Sequence, residues 1–204
     1  MATAPRPRRG ARRPAPALPP AEGFYTADMV DALNDRARGT GRRYETVFGE
    51  LLVTPPPRPW HEVIVDRLVY ALQTYARAEP AAGYVSRAES MFRFERRDTY
   101  TMPDVWAVRL EEMRQLDWLK LTVPLLCAEV VSPSSRRGDR FTKRHLYQAR
   151  GVPLYWVVDG DARLVEAWRP GDEEPRVETE RLTWRPDGAA APFEYALADL
   201  FAPL

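Results

Sequence analysis

The stretch PLLCAEVVSPSSRRGDRFTKRHLY, residues 124–147, decides the reading of this chain. Pro124 to Val131 is an apolar run interrupted by one acid, Glu129, and reads as a buried strand. The turn-rich Ser132-Pro133-Ser134-Ser135 follows, and then a helix that presents Asp139, Lys143 and Tyr147 at four-residue steps. A carboxylate in a buried strand is costly unless it is paired or bound to a cation. The lysine stands out as well. Of 30 Lys plus Arg, only Lys120 and Lys143 are lysine. A compact ammonium with a movable pKa has uses that a guanidinium lacks. The plainer alternative is that Glu129 is a rim residue and Lys143 its ordinary salt-bridge partner.

Downstream, Gly151 stops the helix and Pro153 to Asp159, PLYWVVD, reads as a second apolar strand. A strand, a helix and a strand in succession predict a crossover and a partly parallel sheet. Gly160-Asp161 then turns the chain into a strand at 163–168, with another expected over 174–184 and a short closing helix over 195–201. Upstream, Trp60, Val63, Ile64, Leu68, Ala71, Leu72 and Tyr75 form the apolar stripe of a long helix. Before it, Thr26 caps a short helix with apolar Met29, Val30 and Leu33, and two short strands flank the turn Phe48-Gly49-Glu50. Residues 84–95 read as one long or two short strands, Arg96-Arg97-Asp98 as a turn, and 102–108 as a strand with Asp104 near its start. The expected fold is mixed α/β, one sheet flanked by helices.

Length and composition bound the function. The chain has 204 residues, 45% hydrophobic and 29% charged, enough for one domain and a single large core. Residues 1–22 are expected to be a disordered basic tail, with 23–204 a single domain; residues 1–20 hold five arginines, six prolines and no acid. That segment lacks the apolar centre of a secretory signal, and no apolar run reaches transmembrane length, so a cytoplasmic protein without membrane contact is expected. One cysteine, Cys127, and two histidines, His61 and His145, cannot build a Cys/His zinc cluster. Any metal must therefore be a hard cation on carboxylates. Cys127 reads as a packed thiol, and the serine turn as turn chemistry and helix initiation rather than a nucleophile.

Glu50, Asp104 and Glu129, each at a strand end or interior, are candidate ligands for such a cation, and a helical wheel turns Lys143 toward the sheet with Tyr147 while Arg140, Arg144 and Gln148 face outward. Arg136, Arg137, Arg140 and Arg144 form a basic face that either binds phosphates or is simply solvated. His61, in the first turn of the long helix, reads as an exposed terminal residue, with no assignable role.

The ordered set Gly49-Glu50, His61, Pro103-Asp104-Val105, EVVSPSS at 129–135, Asp139-x-x-x-Lys143-x-x-x-Tyr147 and GVPLYWVVD at 151–159 resembles the Uma2 family of putative restriction endonucleases, in the PD-(D/E)XK nuclease superfamily. The resemblance covers roughly residues 24–170. It implies a restriction-endonuclease-like core, DNA as substrate and Mg²⁺ or Mn²⁺ as cofactor. It further implies Asp104 and Glu129 as metal ligands, Lys143 as the catalytic lysine, and Glu50 as a further acid. A duplex cutter of this kind is expected to be a homodimer. One departure from the superfamily pattern concerns the lysine, which commonly lies two residues after the second acid. Val131 holds that place here, so Lys143 must reach in from the following helix. Two other readings stay open: a catalytically silent nuclease-fold module that binds nucleic acid or protein, which the net negative charge of the chain beyond its tail favours, and a hydrolase of another phosphoester.

Overall fold

Strand β5, Leu126–Val130, lies inside a six-stranded sheet, and the side-chain alternation along it sorts the whole molecule into layers. The computed structural model describes residues 23–87, 92–94 and 97–204. The 1–22 tail, residues 88–91 and 95 of the expected 84–95 strand, and Arg96 of the expected turn lie outside the described residues.

Helix α1 (Ala27–Ala37) starts at Thr26, whose hydroxyl accepts from the Met29 amide at 3.3 Å, as a Ser/Thr cap should. Its buried residues are Ala27, Val30 and Ala37, whereas Met29 is exposed. Strands β1 (Arg43–Val47) and β2 (Glu50–Thr54) form a separate antiparallel hairpin. Its two-residue turn places both Phe48 and Gly49 at positive φ, the geometry that matches hairpin twist. Helix α2 (Pro59–Ala78) is the long amphipathic helix, burying Ile64, Val65, Leu68 and Leu72.

The sheet order is β3 (Tyr84–Arg87), β4 (Val105–Val108), β5, β6 (Tyr155–Asp159), β7 (Leu164–Trp168), β8 (Arg176–Glu178). Only β5 and β6 are parallel; every other pairing in the sheet is antiparallel. The crossover between them is the expected helix, in two parts. Gly138–Lys143 is a π-helical turn, and α4 (Arg144–Ala149) continues it. Between β4 and β5 stand a four-residue helix, α3 (Leu110–Met113), and a 3₁₀ turn.

The single strand expected over 174–184 is two. After β8 the chain leaves the sheet, and β9 (Arg181–Trp184) pairs with β10 (Phe193–Ala196), whose end leads into α5 (Leu197–Leu200). The expected closing helix thus begins two residues late, because Tyr195 and Ala196 belong to β10, paired with Leu182 and Arg181.

Period-two alternation divides the core. Leu126, Ala128 and Val130 of β5 join Val105, Ala107, Trp156 and Val158 under α2 and the β9–β10 pair. Cys127 points to the other face with Trp106, Val108, Tyr155 and Val157, under Leu146 and Tyr147 of α4. Glu129 and Asp104 share that second parity, so both acids turn toward the face carrying Lys143. Gly83 fixes one strand approach: it sits at φ +75°, and a Cβ there would lie 1.9 Å from the Val108 carbonyl oxygen. No helix among the described residues is long and apolar enough to cross a membrane.

Candidate active site

At the C-terminal ends of β5 and β6 a cavity of about 350 Å³ opens between the sheet, the hairpin and the start of α2. Asp104, Glu129, Asp139, Lys143, His61 and Arg43 all line it. Apolar lining comes from Trp60, Ile64 and Pro55 to Pro57, and the Ser132–Ser135 turn forms another edge.

Asp104 precedes β4 and is nearly fully buried. Its Oδ1 accepts from Arg43 at 2.8 Å; its Oδ2 accepts from the Val130 amide at 3.0 Å and lies 3.1 Å from His61 Nε2. Burial pushes this carboxyl up, but the His61 hydrogen bond and the Arg43 guanidinium outweigh it and hold Asp104 below the ordinary carboxylate range. It is therefore an ionised oxygen donor at any physiological pH. His61 is correspondingly raised: burial alone would lower it, and Asp104 reverses the sign. The expectation of an exposed His61 is corrected here, since its side chain is only 12% exposed.

Lys143 is 3% exposed, and its Nζ lies 2.8 Å from Glu129 Oε1, 2.8 Å from Glu45 Oε2 and 3.5 Å from Asp139 Oδ1. Three carboxylates thus face the three donors of one ammonium. Burial opposes its charge, yet these acids together hold its pKa well above that of a free lysine. Glu129 moves up too, first because it is buried and then because Asp104, Asp139 and Glu45 crowd it, with Lys143 opposing. The Tyr147 hydroxyl donates to Glu129 Oε1 at 3.4 Å. The π-helical turn supports this geometry. Tyr155 donates to the Asp139 carbonyl at 3.0 Å, and the widened turn keeps both Asp139 and Lys143 inward.

Glu50 falls elsewhere. It is exposed at the first position of β2, opposite Val47. It shares a hairpin face with Glu45 but lies two residues nearer the tip, about 7 Å further along the strand, and it does not line the cavity. The hairpin acid that reaches Lys143 is Glu45, which the sequence reading missed together with Arg43. The signal available in the sequence was slight: Arg43 and Glu45 are charges two apart, on the strand face they share with apolar Val47.

Two of the four arginines of the basic face, Arg136 and Arg140, pair with acids of the protein itself. Arg140 binds Asp159 and Glu166, each at 2.9 Å, rather than facing outward. Arg136 lies 3.7 Å from Asp159, and Arg144 stacks over Trp168. In the serine turn, Ser135 Oγ accepts from the Ser132 amide and Ser132 Oγ from the Ser135 amide, which is helix-start chemistry. The Cys127 thiol is buried and pushed up by that burial, inert as expected.

A family model described as Uma2, putative restriction endonuclease, matches residues 28–198. The chain belongs to this family. The match runs from α1 to α5 and so takes in every residue of the cavity. Among solved structures, a putative nuclease from Anabaena variabilis ATCC 29413 superposes with a TM-score of 0.69 at 20% identity, over 87% of this chain and 98% of that one. That likeness shows a shared nuclease-like fold. No curated protein matches the chain in sequence.

Proposed function

We propose that the protein is a divalent-metal-dependent endonuclease that hydrolyses phosphodiester bonds of cytoplasmic DNA. The observation carrying this reading is that Asp104, Glu129 and Lys143, delivered by two strands and a helix, meet at one cavity. The donor set fits a hard cation by charge. Four nearly fully buried carboxylates, Glu45, Asp104, Glu129 and Asp139, face two permanent cations, Arg43 and Lys143, leaving an excess of negative charge. It also limits the mode of binding. Among the described residues no group of three or more His, Cys, Asp or Glu could hold a metal ion. Mg²⁺ or Mn²⁺ would be held by Asp104 and Glu129 and keep several waters, as Mg²⁺ commonly does.

When bound, such a cation polarises the phosphodiester and lowers the pKa of the attacking water. The chain's own groups do the rest. Arg43 and His61 keep Asp104 ionised and aimed into the cavity. Lys143 orients the water and offsets charge developing on the phosphoryl oxygens. Trp60 and Pro55–Pro57 form an apolar wall of the cavity, and Arg58 at the rim offers a phosphate contact. Cutting both strands calls for two such sites about a twofold axis, so the proposal includes a homodimer, checked by light scattering.

The test is cleavage of supercoiled plasmid and single-stranded DNA with Mg²⁺ or Mn²⁺ by wild type and Lys143→Gln. Nicking or linearisation by wild type that the variant loses supports the reading. A folded wild type that cuts neither DNA with either cation overturns it. One observation favours the second reading, a catalytically silent binding module: every donor of Lys143 already faces a carboxylate.

A further inference from the structure

We propose that Glu45 is the positioning residue of Lys143, a carboxylate that fixes the ammonium from behind the cavity. The inference rests on the assignment of Lys143 to the reacting site. Glu45 is 1% exposed and, unlike Glu129, Asp139 and Lys143, does not line the cavity. Whatever enters the cavity meets those three and not Glu45.

Its two oxygens have two fixed partners. Oε1 accepts from the Met102 amide at 2.7 Å, and Oε2 lies 2.8 Å from Lys143 Nζ. Met102 stands two residues before Asp104, so one rigid carboxylate ties the position of the lysine to the segment that delivers the first acid. Lysine needs such a restraint, because its long stem has many rotamers and its charge no preferred direction.

Lys143's other two partners differ from Glu45 in this respect. Glu129 and Asp139 face the cavity, and their bonds to Nζ compete with any cation or phosphate that arrives. Such competition frees an ammonium donor toward the cavity while Glu45 holds the opposite side. The strand supports the two arms alike: Arg43, two residues earlier on the same face of β1, bonds Asp104 at 2.8 Å. β1 thus aligns both parts of the site, although the sequence motifs of the site all lie outside it.

Lys120 and Lys143 are the only lysines, which makes the test specific. The full chain is acylated with a small N-hydroxysuccinimide ester, and both lysines are followed by peptide mass spectrometry. Lys120 is exposed and serves as internal reference. Glu45→Gln keeps an acceptor for the Met102 amide and turns an amide donor toward Nζ. Acylation of Lys143 relative to Lys120 is expected to rise by at least about tenfold, the factor carried by one charge-assisted hydrogen bond. Glu45→Asp keeps the charge, is one methylene short, and is expected to give a smaller rise; it also provides the readout should Glu45→Gln fail to fold. A folded Glu45→Gln variant with unchanged Lys143 acylation overturns the proposal.

A second arm uses cleavage. Glu45→Gln is expected to lower kcat by about 100-fold, with KM little changed, and to have no further effect in a Lys143→Gln background. A further loss in that background would mean Glu45 acts elsewhere, and would overturn the proposal. If wild type cuts no DNA, the nuclease reading fails alone, and acylation still decides the role of Glu45.

Discussion

Replacing Lys143 by Met removes the one cation shared by three buried acids. Its Nζ lies 2.8 Å from both Glu45 and Glu129 and 3.5 Å from Asp139, and none of these residues is more than 3% exposed. The remaining cation of the cluster, Arg43, is engaged by Asp104. Stripping one partner from a buried ionic cluster costs about 3–5 kcal/mol, most of it the desolvation of charges left behind. The loss must depend on pH, and its sign follows from linkage. Glu129 and Asp139 already sit above their ordinary values because they are buried among other acids, and losing the ammonium raises them further. A carboxyl raised in the folded state favours folding below its unfolded pKa of about 4 and disfavours it as pH climbs through the folded value. In that window stability falls by about 1.4 kcal/mol per pH unit for each proton released. Lys143 itself is raised in the folded wild type, so its contribution is fully present below about pH 10. Urea unfolding followed by tryptophan fluorescence in metal-free buffer, at pH 4.5, 6 and 7.5, checks this. Lys143→Met should approach wild type at the acid end and fall about 3–5 kcal/mol below it at pH 7.5. A deficit independent of pH, or one under about 1 kcal/mol throughout, would refute the buried-cluster reasoning.

Other perturbations read other parts of the same structure. Glu129→Gln removes one of four crowded acids, so metal-free stability should stay within about 1 kcal/mol of wild type or rise, while calorimetry shows Mn²⁺ affinity at least about tenfold weaker. Gly160→Ala would place a Cβ 2.6 Å from Ile64 and 3.3 Å from Trp60. The Ile64 side chain, packed in the core, must then move aside, and a loss of about 1–3 kcal/mol is expected in thermal unfolding. Asp159 is held below the usual carboxylate range by the Ala162 amide and Arg140 against the effect of burial. Its contribution is present above the unfolded pKa near 4 and lost as pH falls through the lowered folded value. Asp159→Asn should therefore cost about 1–3 kcal/mol at pH 7 and little near pH 2, by the same urea assay.

Much of the fold could be read from local pattern. The α2 stripe from Trp60 to Tyr75, the apolar strands ending at Val130 and Asp159, and the helix between them are set by periodicities that short segments carry alone. Pairing across distance was less legible. The 174–184 segment reads as one strand, but Glu178 ends β8 in the main sheet and Arg181 begins a different pair. Nothing local says which sheet an edge strand joins. The same limit governs the candidate site. Asp104, Glu129 and Lys143 stood out because each is a charge in an otherwise apolar or inward position. Glu45 and Arg43 lie in a strand about 60 residues before Asp104, and the tertiary contacts of the hairpin show what they reach: Arg43 bonds Asp104 in the cavity, and Glu45 holds Lys143 from behind it. Glu50 was favoured by its place in the ordered motif set. The two-residue turn, which puts Glu50 at the hairpin tip and Glu45 inside, decides between them.

The most direct test of the central claim is calorimetric titration of Mg²⁺ and Mn²⁺ into wild type and Asp104→Asn. The account predicts specific binding to wild type that the substitution abolishes, since Asp104 is the acid kept ionised whatever the state of its neighbours. Equal binding by both proteins, or none by wild type at millimolar cation, would contradict it.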